Sequence, residues 1–152
     1  MPHIGQLNEN VAIDYVGAAV SNSSSTDSNS TRLDMSNWDG VVFVTTITDS
    51  TATGVATLKV EQNTSDSDTG MTALTGASAA VTCAVNDDVN GKVLIVDVRA
   101  PRERWVQGVR TSATANMAFG EILAIRYGAR LAPAAASATT AAAAEVVSPA
   151  EV

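Results

Sequence analysis

The side chains of this chain that could do chemistry are few, and most of them are arginines. Residues Val96 to Arg110 read VDVRAPRERWVQGVR, which gathers Arg99, Arg102, Arg104 and Arg110 around Pro101 and Trp105. A guanidinium offers a planar fork of donors to carboxylates, and arginine and tryptophan are enriched among the residues that dominate protein interfaces. The corner therefore reads as a docking element, against the plainer alternative of a polar connection with solvated arginines. Strand periodicity places Trp105, Gln107 and Val109 on one face and Arg104, Val106, Gly108 and Arg110 on the other. One face is expected to be buried and the other free to dock. Pro101 lacks a donor and fits a turn or strand edge, so the two flanking strands are expected to meet as a connected pair.

The other candidates weigh toward structure. The single histidine, His3, stands in the amino-terminal segment, where no strand fixes it beside a serine or carboxylate. The run DSDTG (Asp66 to Gly70) has the start of a calcium loop, but its twelfth position is Ala77 where a bidentate glutamate is needed. Asp87 and Asp88 in NDDVNG suit a tight turn better than a catalytic pair. Cys83, alone in an apolar-leaning run, reads as a small buried hydrophobe, and Trp38 as an anchor at the core edge. Asn22, Asn29 and Asn63 begin glycosylation triplets, which stretches this rich in Asn, Ser and Thr generate by chance. No cofactor, metal or enzymatic activity is expected.

The elements that must position these residues are strands. Val55 to Gln62 (VATLKVEQ) alternates Leu58 and Val60 against Thr57, Lys59 and Glu61, the pattern of a half-exposed antiparallel strand. Comparable runs occur at Val11–Val16, Gly40–Ile47, Ala79–Val85, Lys92–Val98, Arg104–Arg110 and Met117–Tyr127, with shorter candidates at Arg32–Met35 and Met71–Leu74. Polar turn clusters separate them, and no amphipathic helix competes, which predicts an all-β antiparallel sandwich or jelly roll over residues 11–131. An amino-terminal arm (1–10) and an Ala-rich tail (132–152) flank it. Both are expected to be extended, with Ile4 and Leu7 on the arm as contact residues and the tail held by a neighbouring subunit. The stretch SNSSSTDSNST (Ser21 to Thr31) looks too polar to pack and is expected to form a mobile surface loop.

The charge is divided. The chain carries a formal net charge of -7, yet residues 1–91 hold eleven acids against two bases and residues 92–152 hold five acids against seven. A chain this acidic, with two lysines, is a poor candidate for nucleic acid, whose phosphates need a dense basic face. No run approaches the roughly 20 apolar residues of a membrane helix, and MPHIGQLNEN lacks the basic start and apolar stretch of a secretion signal. Assembly in a cytoplasm, with protein partners, is the expectation.

The stretch KVLIVDVRAPRERWVQGVRTSATANMAFGEILAIRYGARLAP, with LDMSNWDGVVFVTTI before it, resembles small capsid-associated proteins of tailed bacteriophages. The shared features are a "DV..PR.RW" pair, "T.ATAN" and an "I.AI.YG.R..P" strand. The resemblance implies a capsid cement, or decoration, protein: a jelly-roll homotrimer on the outside of the phage head that bridges major capsid proteins and is assembled in the host cytoplasm. It implies that Arg99, Arg102, Arg104, Trp105 and Arg110 belong to a trimer or capsid interface. A phage tail or fibre module binding a host glycan is the alternative, disfavoured by two tryptophans, two tyrosines and two phenylalanines in the whole chain.

Overall fold

The computed structural model describes residues 7–131 and 134–144. It opens with one helical turn, α1 (Leu7–Asn10), followed by β1 (Val11–Gly17), β2 (Val20–Ser23), β3 (Thr26–Asn29), β4 (Leu33–Asp34) and β5 (Gly40–Ser50). Then come β6 (Val55–Asn63), β7 (Thr72–Thr82), β8 (Val93–Arg99), β9 (Trp105–Ala113) and β10 (Met117–Tyr127). All pairings are antiparallel. Sheet A runs β1-β10-β5-β8 with β2 beside β10, and sheet B runs β3-β9-β6-β7 with β4 beside β9. If β1 and β2 count as one strand position and β3 and β4 as another, eight positions divide into two four-stranded sheets, switching sheet at every step but β6 to β7. That is the jelly roll expected from the strand pattern.

The core lies between the sheets. Val41, Phe43 and Ile47 of β5 and Phe119, Ile122 and Ala124 of β10 meet Ala56, Leu58 and Val60 of β6 and Val106 of β9. Close approach at the centre requires Gly108, where a methyl group would lie 2.8 Å from Ile122 and 2.9 Å from Phe43. Trp38 and Cys83 are both buried, as expected. Asp87 and Asp88 do form a turn: Asp87 takes a positive φ of 67° and Asp88 accepts from the Ala84 amide at 2.9 Å. The DSDTG loop turns its carboxylates on Arg32, which holds Asp66 and Asp68 at 2.6 and 2.5 Å.

Two expectations are corrected. The polar stretch Ser21 to Thr31 is not a loop, because it supplies most of β2 and all of β3. Ladder bonds come from the backbone, so a polar strand pairs when a longer neighbour holds it, here β10 and β9. The arm is helical from Leu7 to Asn10 rather than extended. Ile4 and His3 lie outside the described residues. No helix among the described residues is long and apolar enough to cross a membrane.

Candidate interaction surface

The arginine corner is a crossing between sheets. β8 ends in sheet A at Arg99 and β9 begins in sheet B at Trp105, so the flanking strands do not pair with each other as expected. Ala100 adopts a positive φ of 52°, which lets its N–H donate to the Asp39 carbonyl at 2.7 Å and starts the crossing. Arg104 grips Asp34 with both prongs, at 2.9 and 2.6 Å, and its guanidinium lies 5.5 Å from the Trp105 ring centre. That hydrogen-bonded guanidinium holds the Asp34 carboxyl well below the usual carboxylate range. Arg104 is thereby committed within the chain, whereas Arg99 and Arg102 are exposed and make no ion pair among the described residues. Leu7 is also exposed, at 66%.

Arg110 belongs to the core, not to an interface. It is 2% exposed and inserts between the sheets, where its hydrogen-bond partners are uncharged and Glu121 acts on it electrostatically. Its Nη1 donates to the carbonyls of Ala18 (2.9 Å) and Gly120 (2.6 Å), and its Nη2 to Ser28 Oγ (3.2 Å). These carbonyls sit where strands break step: Ala18 between β1 and β2, and Gly120 where β10 slips register against β5. A bulge frees a backbone acceptor, and here a buried cation satisfies it. Burial lowers the Arg110 pKa from its ordinary value. The outward face of β9 is not open for docking either, because Gln107 and Val109 are each 1% exposed beneath their cross-strand neighbours. Gln107 itself donates to Glu61 at 3.1 Å.

The open apolar surface lies on the other sheet. On the outward side of sheet A, Tyr15, Leu123, Val44 and Ile95 are direct cross-strand partners in one row spanning all four strands. The adjacent row runs Ile13, Ile125, Val42 and Asp97, and Val93 stands beyond Ile95 opposite Thr46. Ile95 is 56% exposed, Val93 49%, Tyr15 47%, Ile13 42% and Leu123 39%. Neighbours in such rows have Cβ atoms about 4.5–5.5 Å apart, so this is one contiguous patch rather than scattered side chains. Sequence reasoning, fixed on arginine, passed over these residues.

Residues 134–144 form a strap along the β1 side of this face, resting on their own chain. The Ala134 amide donates to the Glu9 carbonyl at 2.8 Å, the Tyr15 amide to Thr139 Oγ1 at 2.9 Å, and Ser137 Oγ to Asp14 Oδ1. Asp14, 5% exposed, also receives Arg126 at 2.8 and 3.0 Å, and that guanidinium stacks 4.8 Å over Trp38. Between strap and sheet an apolar cleft of about 760 Å³ remains, walled by Ile13, Tyr15, Leu123 and the alanines of the strap.

Tyr127 marks the far end of the face. Its hydroxyl donates to Asp97 at 2.7 Å, and burial, reinforced by that bond, pushes its pKa from the ordinary 10.0 up to about 12. A raised folded-state value means the contribution to stability is complete below pH 10 and lost as pH rises toward 12. Alkaline unfolding should therefore show a loss of stability across that interval that Tyr127→Phe abolishes, measured as denaturation midpoint against pH. An identical pH profile for the variant would mean that Tyr127 ionises freely.

The geometry defines a jelly roll with one polar outer face and one apolar outer face, the latter open in a single chain. Compared with protein-family models and with curated proteins, the chain matches none. Among solved structures it is similar to the PBSX exported protein XepA, a phage-related protein, with a TM-score of 0.50 and 15% identity over 97% of this chain. The chain spans about half of that protein, 47% of its length. At this identity the likeness is one of fold.

Proposed function

We propose that this chain is a non-catalytic structural protein of a phage particle, a decoration protein that sits on the outside of the head as a homotrimer and bridges major capsid proteins. The observation that carries this is the apolar ladder on the outward side of sheet A: an acidic chain of 152 residues that leaves five large apolar side chains 39–56% exposed in one patch is built to be covered by protein. The jelly roll shared with a phage-related protein and the resemblance of the Lys92 to Pro133 stretch to capsid-associated proteins support the same reading. Arg99 and Arg102, exposed at the end of the sandwich, are the groups that would meet capsid carboxylates. The glycan-binding alternative has weaker support, because the polar cleft beside the corner, lined by Gln62, Asn63, Thr64, Gly70, Thr72 and Glu103, contains no ring for a sugar to stack on.

The test is co-sedimentation of the purified chain with phage heads. The chain should pellet with heads and raise their melting temperature, and Arg102→Glu should weaken binding about tenfold or more, the cost of about 1.4 kcal/mol at a contact losing its charge. Arg104→Glu should act mainly on the Asp34 contact and thus on stability. A chain that leaves heads untouched at any salt concentration would refute the decoration role.

A further inference from the structure

We infer that the partner seated on the outward face of sheet A is a second copy of this chain, not the capsid shell. The inference rests on the oligomeric part of the reading above and adds which surface does which task. Its first support is charge. The outward positions of β1, β10, β5 and β8 carry three ionisable groups besides tyrosine, namely Asp97, Arg99 and Glu121, a formal -1 that leaves most of the chain's -7 elsewhere. Two copies of an acidic protein repel, and they can approach only across a face from which the surplus has been cleared. The outward side of sheet B carries Asp27, Asp34, Lys59 and Glu61, a formal -2, among polar rather than large apolar neighbours such as Thr57, Gln107 and Thr111, and Lys59 reaches Asp27 and Glu61 at 3.4 and 3.3 Å.

Its second support is the state of the sheet's two edges. The strap covers β1, whereas β8 has β5 as its one ladder partner among the described residues. An apolar face running out to an open strand edge invites aggregation from the moment the chain folds. It must be covered before any head is met, and another copy of the chain, made at the same time and place, is available throughout that interval. The cleft of about 760 Å³ along the strap shows that the chain's own alanines do not finish the covering.

The experiment is light scattering on the full chain at micromolar concentration, with Tyr15→Lys and Ile95→Lys as variants from opposite ends of the ladder. Both side chains are about half exposed, so the fold should survive, checked by far-UV circular dichroism and a cooperative melt. The full chain should give an oligomeric mass and each variant a monomeric one, while Arg102→Glu, which lies off this face, stays oligomeric. If a lysine variant fails to fold, Ile95→Thr, a good strand former, should weaken association about tenfold. Oligomers that persist in the folded ladder variants, or a full chain that is monomeric, would overturn the inference. Head binding is read separately: failure there with intact oligomers sinks the decoration role and leaves the self-association surface standing.

Discussion

Replacing Arg110 by alanine should lower stability by about 2–4 kcal/mol, from a buried carbonyl left short of a donor together with the cavity the side chain leaves. The substitution leaves the Ala18 carbonyl without its side-chain donor, leaves the Gly120 carbonyl with the Thr45 hydroxyl alone, and opens a cavity between the sheets. Arg110→Lys keeps the charge but cannot reach two carbonyls and Ser28 with one fork, so it should recover only part of the loss. For a domain of this length, about 2–4 °C per kcal/mol puts the melting temperature of the alanine variant roughly 10 °C lower. Urea denaturation checks it, and a loss under about 1 kcal/mol would mean that water serves those carbonyls equally well.

The second large effect is at Asp14. Asp14→Ala removes the acceptor of Arg126 and of Ser137 together, leaving a guanidinium whose side chain is 16% exposed with the Trp38 ring and the Asp34 carbonyl. Breaking one side of such a pair costs about 3–5 kcal/mol, and these remaining partners place the expected loss near about 3. The double variant Asp14→Leu with Arg126→Met should be more stable than Asp14→Ala, because no charge is then stranded. The strap offers a second readout: without its Ser137 anchor, residues 134–144 should be cut by a nonspecific protease many times faster while the sandwich resists. Equal cleavage rates in wild type and Asp14→Ala would show that the Glu9 and Thr139 contacts hold the strap alone.

The strands could be read because alternation is local: VATLKVEQ and MAFGEILAIRY announce their inward faces without reference to the rest of the chain. Arg110 could be placed on the same face as Val106 and Gly108, but its burial depends on carbonyls freed at Ala18 and Gly120, 92 and 10 residues away, and no local pattern encodes them. The apolar face was legible and overlooked. Runs such as GVVFV and VLIV are apolar at consecutive positions, and in an antiparallel sheet with one wet side they should alternate. Continuous apolarity in such a sheet means that both sides are covered. The Ser21 to Thr31 stretch misled for the converse reason, since polarity predicts exposure of side chains and is silent on whether the backbone finds a ladder.

The unequal edges of sheet A also set an arithmetic for growth. In polymer terms a sheet with two open edges is a bifunctional monomer and can extend without limit, as fibrils do. With β1 covered by its strap, sheet A can extend only past β8, so edge-to-edge growth of this sheet is blocked on one side and self-association falls to the apolar face. Removing the strap at Ala134 would restore the second functionality. Whatever its partner, a chain with an apolar outer sheet must be kept from polymerising on its own, and the eleven small residues 134–144 close one route to that.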